Sequence, residues 1–95
     1  MVLQPDHRRA ARGFSAVAPI YDQETEANPL VRYVRAFTQR RLQRIFAPGD
    51  LVLEVGCGTG VEAVVLARAG VRVVATDVAA GMLEVTAARA RAAGL

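Results

Sequence analysis

Apolar and polar positions follow two different periods along this chain, and the change of period divides it. From Asn28 to Phe46, the residues Leu30, Val31, Val34, Phe37, Leu42 and Ile45 fall on one arc at about 100° per residue, which predicts an amphipathic helix. Asn28 followed by Pro29 opens that helix as N-cap and first helical residue, and Pro48-Gly49 stops it. The arc is expected to cover a sheet, leaving Arg32, Arg35, Arg40 and Arg44 on a solvated face. Arg41 falls inside the arc. It either snorkels past the apolar stripe, pairs with an acid outside this segment, or contacts a partner chain. Beyond the helix the period shortens. Leu51–Val55 is an apolar run broken only by Glu54, the pattern of a strand buried on both faces of a parallel sheet. Val71–Thr76 is a second strand. Val61–Ala69 between them is a short Ala-rich helix with Glu62 in its first turn and Gly70 as its breaker. A last helix is predicted from Gly81 to Ala93, ending at Gly94. At the other end residues 1–7 read as loose, with His7 a solvated side chain. Arg8–Ala18 reads as a short helix with Phe14 and Val17 facing inward, ended by Pro19.

The candidate chemistry lies where the first strand ends. Gly56, Gly58 and Gly60 alternate with Cys57 and Thr59, so the backbone turns sharply there and a ligand can approach without meeting a Cβ. The helix from Val61 follows at once, turning unpaired N–H groups toward the same place. Asp77 stands at the tip of the second strand, seventeen residues after Gly60, where a carboxylate binds ribose hydroxyls. Strand, glycine loop, helix, strand and acid make half of a nucleoside site. A dinucleotide fingerprint fits poorly: counted from Gly56 its last position is Val61, and counted from Gly58 it is Ala63 but starts late relative to the strand. Glu54 separates the alternatives, because a carboxylate opposes a diphosphate and suits a cation. S-adenosylmethionine carries a sulfonium and an ammonium and no phosphate.

Glu54-Val55-Gly56-Cys57-Gly58-Thr59-Gly60 resembles motif I of the class I S-adenosylmethionine-dependent methyltransferases, and Val73 to Leu83 resembles the following motif of their small-molecule branch (the type 11/25-like group). The likeness runs from about Phe14 to the C-terminus. It implies an α/β fold, a Rossmann-like doubly wound parallel sheet, here incomplete. Residues 1–27 would form an N-terminal cap segment and 28–95 the N-terminal half of the cofactor domain. It also implies roles. Asp77 would hold the ribose, Gly56, Gly58 and Gly60 would give backbone access near the methionine end, and Glu54 would orient the ammonium directly or through water. Val78 and Met82 would enclose the adenine, Met82 being otherwise an ordinary core filler. Tyr21 would reach the methionine carboxylate or else pack its ring on the core. Cys57 sits at a helix N-terminus that could lower its pKa, but the resemblance implies a backbone role. Ala79 departs from the pattern, which often has Ser opening the next helix, a cap worth about 1 kcal/mol.

Composition narrows the partners. All twelve basic residues are Arg and the net charge is +3, too mild to argue for nucleic acid. No apolar run reaches the ~18 residues of a membrane span, and Asp6-His7-Arg8-Arg9 stands where a secretory signal needs an apolar core. A single cysteine excludes an intramolecular disulfide and fits a reducing cytoplasm. Neither a membrane, a nucleic acid nor a metal is expected as partner; a small-molecule methyl acceptor is. At 95 residues with two strands the chain is too small for a complete doubly wound sheet and reads as part of one. Its unfinished sheet edge is then a route to self-association.

Overall fold

The computed structural model describes residues 6–95; of the segment 1–7 expected to be loose, positions 1–5 lie outside it, whereas Asp6 and His7 are not loose but open a capped helix. Helix α1 spans His7–Val17 and is capped by Asp6, whose side chain accepts from the Arg9 N–H at 2.9 Å. His7 is exposed in the helix's first turn. Pro19 does not end the helical path as expected: Ala18–Ile20 forms a 3₁₀ turn with Pro near its start, and helix α2 follows at Tyr21–Glu26. Proline is tolerated in a first turn, where its missing N–H would lack a partner anyway. Helix α3 spans Pro29–Ile45, opened as the sequence predicts, with Asn28 accepting from the Leu30 N–H at 2.9 Å.

Strands β1 (Leu51–Val55) and β2 (Arg72–Thr76) pair in parallel, with Leu51 opposite Arg72 and Val55 opposite Thr76. Helix α4 (Val61–Arg68) links them, and α5 (Ala80–Ala92) follows β2. This two-strand parallel sheet with its crossover helix is an incomplete Rossmann-like α/β fold.

Burial corrects the expectation that β1 is covered on both faces. Val52 and Glu54 are half-buried toward α4, whereas Leu51, Leu53 and Val55 on the other face are 65%, 65% and 81% exposed. The core lies on the α4 side, where Ala63, Val64, Leu66 and Val71 are buried, and under the N-terminal helices, where Ala18, Ala79 and Met82 form a cluster joined by Tyr21 and Val85.

Helix α3 is rotated relative to its expected arc. Val31 and Leu42 are partly buried, but Leu30, Val34, Phe37 and Ile45 are exposed by half or more, and Arg41 is exposed beside them. Arg35, expected in solvent, is instead half-buried and paired with acids. Phe14 and Val17 of α1, expected to face inward, are likewise exposed by 49% and 41%.

The α1–α5 contact is closer than ordinary helix packing. The Gly81 N–H donates to Ser15 Oγ at 3.0 Å, so α1 supplies from across the fold the cap that Ala79 lacks. A Cβ on Gly81 would stand 2.7 Å from Ser15 Cα and 2.8 Å from its carbonyl oxygen, both backbone atoms. Gly81→Ala is therefore expected to force the helices apart and lower stability by about 1–3 kcal/mol, read as a reduced urea midpoint.

Candidate functional site

The loop from Gly56 to Gly60 is fixed from β2 and α5. The Cys57 N–H donates to the Thr76 carbonyl at 2.8 Å, extending the sheet pairing by one bond. The Gly58 N–H donates to Asp77 Oδ2 at 2.9 Å, and the Gly58 carbonyl accepts from Thr86 Oγ1 at 2.8 Å. Gly56 and Gly58 have φ of +73° and +58°, a region in which side chains are strained, and nothing lies within 4 Å of where their Cβ atoms would be. Gly60 differs from them, since a Cβ there would meet the Thr86 side chain at 2.6 Å. Its lack of a side chain serves loop–helix packing rather than ligand approach.

Above this loop lies a crevice of about 410 Å³, lined by Phe14, Tyr21, Val55, Gly56, Gly58, Asp77, Val78 and Met82. That volume is within the usual range for small-molecule sites. Six of the residues singled out from the sequence thus meet in one place: Tyr21, Gly56, Gly58, Asp77, Val78 and Met82. Met82 is also 2% exposed within the core cluster, so its two suggested roles coexist. The walls are mainly apolar, and Asp77 is the one carboxylate among them. Both Asp77 oxygens already accept backbone N–H bonds, Oδ2 from Gly58 and Oδ1 from Ala79 at 2.8 Å. Each retains acceptor capacity, so the group is pre-oriented rather than consumed.

Glu54, Cys57 and Gly60 do not line the crevice. Glu54 lies in a neighbouring hollow between β1, α3 and α4, with Thr38, Leu42, Phe46, Glu62 and Leu66 around it. Its Oε2 is buried and has no hydrogen-bond partner among the described residues. Burial first, and the Glu62 charge second, push its pKa above the ordinary carboxylate value. Cys57 is buried at 4% exposure, and its pKa is raised, not lowered by the helix terminus. Desolvation is the largest cause, opposed by the contact with Thr86 and reinforced by Glu54 and Asp77.

Sequence reading missed what ties α2 to the loop. Asp22 of α2 accepts from Thr59 Oγ1 at 2.7 Å and pairs with Arg35 of α3 at 3.1 Å and with Arg89 of α5. Arg89 Nε also donates to the Thr59 carbonyl at 3.0 Å, and Arg35 reaches Glu26 at 3.0 Å and Glu62 at 3.9 Å. Burial works against the Arg35 charge, yet the Asp22 hydrogen bond and the surrounding acids hold its pKa above the ordinary value. These partners are separated by 9 to 67 residues in sequence. No local spacing could have announced them; the only available sign was an acid beside Tyr21 in a segment otherwise expected to pack.

The family profile described as a methyltransferase domain matches residues 52–95. A demethylmenaquinone methyltransferase of Corynebacterium urealyticum is 41% identical over 83 residues, covering 85% of this chain and 35% of that protein. The demethylmenaquinone methyltransferase of Mycolicibacterium vanbaalenii is 38% identical over 89 residues, covering 92% and 38%. A protein-L-isoaspartate O-methyltransferase of Methylorubrum extorquens is 54% identical over 48 residues, half of this chain and 21% of that protein. The chain therefore spans little more than a third of the curated relatives it matches most fully. No solved structure matches.

Two measurements probe this geometry. Asp22→Ala strands two arginines and the Thr59 hydroxyl, and is expected to cost about 2 kcal/mol in chemical denaturation, the partial exposure of the pairs holding it below fully buried values. For Glu54 the folded pKa is raised, so its stabilising effect is full below the unfolded value near 4.5 and is lost as pH rises through the folded value. Glu54→Gln is accordingly expected to melt higher than wild type at neutral pH, with the gap closing in acid.

Proposed function

We propose, from the premise that the chain belongs to the class I S-adenosylmethionine-dependent methyltransferases, that its crevice binds S-adenosylmethionine for methyl transfer to a small molecule. The observation that carries this reading is the meeting of a strand-end carboxylate with open glycine backbone in one mainly apolar crevice. Asp77, already oriented by two N–H bonds, would accept from the ribose hydroxyls. Val78 and Met82 would enclose the adenine, Tyr21 and the Gly56–Gly58 backbone would meet the methionine end, and Phe14 would close the mouth. The Gly58 N–H is committed to Asp77, so the loop would offer that end close approach more than a donor at this position.

A diphosphate cofactor fits less well. Glu54 and Glu62 flank the loop closely enough for one to raise the other's pKa, and a diphosphate there would add negative charge to negative charge. A cation eases the same repulsion, so Glu54 acts on the methionine ammonium through its field rather than as a crevice wall.

Bound S-adenosylmethionine supplies a methyl group on a sulfonium, which an acceptor atom takes in line as the carbon–sulfur bond breaks. The chain's own part is alignment and exclusion of water, worth up to about 7–11 kcal/mol in favourable cases. Residues 1–27 would serve as the cap and 28–95 as the cofactor half of the domain. The relatives' names point to a quinone ring as acceptor. The reading places the chain in the cytoplasm, where a lone buried thiol stays reduced.

Isothermal titration with S-adenosylmethionine and with NAD tests the assignment; binding of the first alone is expected, and preference for NAD would overturn it. Asp77→Ala should weaken S-adenosylmethionine at least tenfold. An analogue lacking the ribose hydroxyls should bind wild type and variant alike, which separates ribose contact from loss of loop order.

A further inference from the structure

Two hydrogen bonds from the N-terminal helices share a pattern: each joins the immediate neighbours of crevice residues. Ser15 Oγ, next to Phe14, accepts from the N–H of Gly81, next to Met82, at 3.0 Å. Asp22 Oδ1, next to Tyr21, accepts from Thr59 Oγ1, next to Gly58, at 2.7 Å across 37 residues of sequence. Neither Asp22 nor Thr59 lines the crevice itself. Thr59 is buried, and Asp22 is the one partner of its hydroxyl among the described residues. The carboxylate is held in turn. Arg35 donates to the same Asp22 oxygen at 3.1 Å and Arg89 to the other, while Arg89 Nε also grips the Thr59 carbonyl. Every bond in this arrangement is made within the chain.

From this we infer that Asp22 is a positioning residue for the cofactor: acting through Thr59, it holds Tyr21 and the Gly56–Gly58 backbone at the spacing that receives the methionine end of S-adenosylmethionine. The inference rests on the cofactor reading given above. Packing does not set that spacing, because nothing lies within 4 Å of where a Cβ would stand on Gly56 or Gly58. Hydrogen bonds to charge set it instead, and these are stronger and more directional than neutral ones. The site calls for a carboxylate. Three donors converge on its two oxygens, and an amide would turn its own N–H groups toward one of them. Loss of the bond frees the loop and α2 to shift relative to each other, and small displacements of a positioning group are costly to binding. The adenine end has its own tie through Ser15 and Gly81, beside Phe14 and Met82, which leaves it independent of Asp22.

Thr59→Val tests this most cleanly, because it removes the donor, keeps the branched shape and leaves both arginine pairs of Asp22 in place. Isothermal titration should show S-adenosylmethionine bound about tenfold more weakly, with adenosine little changed and wild-type affinity restored in Thr59→Ser. Asp22→Asn should weaken S-adenosylmethionine at least as much, and the double variant should lose less than the sum of the two. A second readout needs no ligand. Cys57 is the chain's sole cysteine, buried two residues before Thr59, and neither Asp22 nor Thr59 is among the groups that shift its pKa. Its labelling by an aromatic disulfide reagent therefore reports opening of the loop, and is expected to run about tenfold faster in Thr59→Val than in wild type or Thr59→Ser. Wild-type affinity in Thr59→Val, equal losses for S-adenosylmethionine and adenosine, or unchanged labelling would each overturn the inference and leave the cofactor reading standing. A wild-type chain that binds no S-adenosylmethionine overturns that reading, and this inference with it.

Discussion

One carboxylate holds the separate parts of this molecule in register. Asp22 reaches from the short helix α2 to the Thr59 hydroxyl of the glycine loop, to Arg35 on α3 and to Arg89 on α5, so four elements share a single anionic point. Thr59 is itself buried at 3% exposure, and a hydroxyl in that position needs a partner. The arrangement matters because the sheet beneath contributes little restraint. Two strands covered on one face bury too little to fix a loop by packing alone. Directional bonds to charge do so instead, and Tyr21, next to Asp22 on the same helix, lines the crevice.

The same reliance on charge shapes the electrostatics of the site. Asp77 is oriented by two backbone N–H groups, which aim it along the crevice wall. Glu54 receives the opposite treatment, being half-buried beside Glu62 with one oxygen unpartnered. Burial and the neighbouring Glu62 charge both disfavour its ionised form, the reverse of a carboxylate held by hydrogen bonds.

How much could be read in advance follows the range of the interactions. Elements set by local period and local caps were legible: α3 from Asn28-Pro29, β1 and β2 from their apolar runs, and the loop from its alternating glycines. Asp77 and Gly58 were each singled out from sequence, but the bond between them was not. The Asp22 network, the Ser15 cap on Gly81 and the Thr86 contact beneath Gly60 were not, since each joins residues brought together only by the finished fold. Glu54 shows the intermediate case. Its place on β1 was readable from sequence, but the strand's alternation turns its side chain toward α4, away from the crevice.

Helix α3 carries the sharpest form of that limit. A 3.6-residue period states which side chains share a face but not which face packs. Apolar residues occupy well over half of its circumference, more than one neighbouring helix can cover. Hydrophobic burial alone favours the arc around Leu30, Val34 and Phe37, where each side chain would contribute about 1.5–3 kcal/mol. That arc also holds Arg41 and Arg44, and turning it inward would desolvate two guanidinium groups without an acid on the helix to receive them, at several kcal/mol each. The opposite side offers less apolar surface, but its arginines find acceptors: Arg35 meets Asp22, Glu26 and Glu62, and Arg32 the Glu26 carbonyl. The helix therefore packs by the charge it can satisfy. Arg41, anomalous within an arc assumed to be buried, was the residue in the sequence that marked this arc as facing outward.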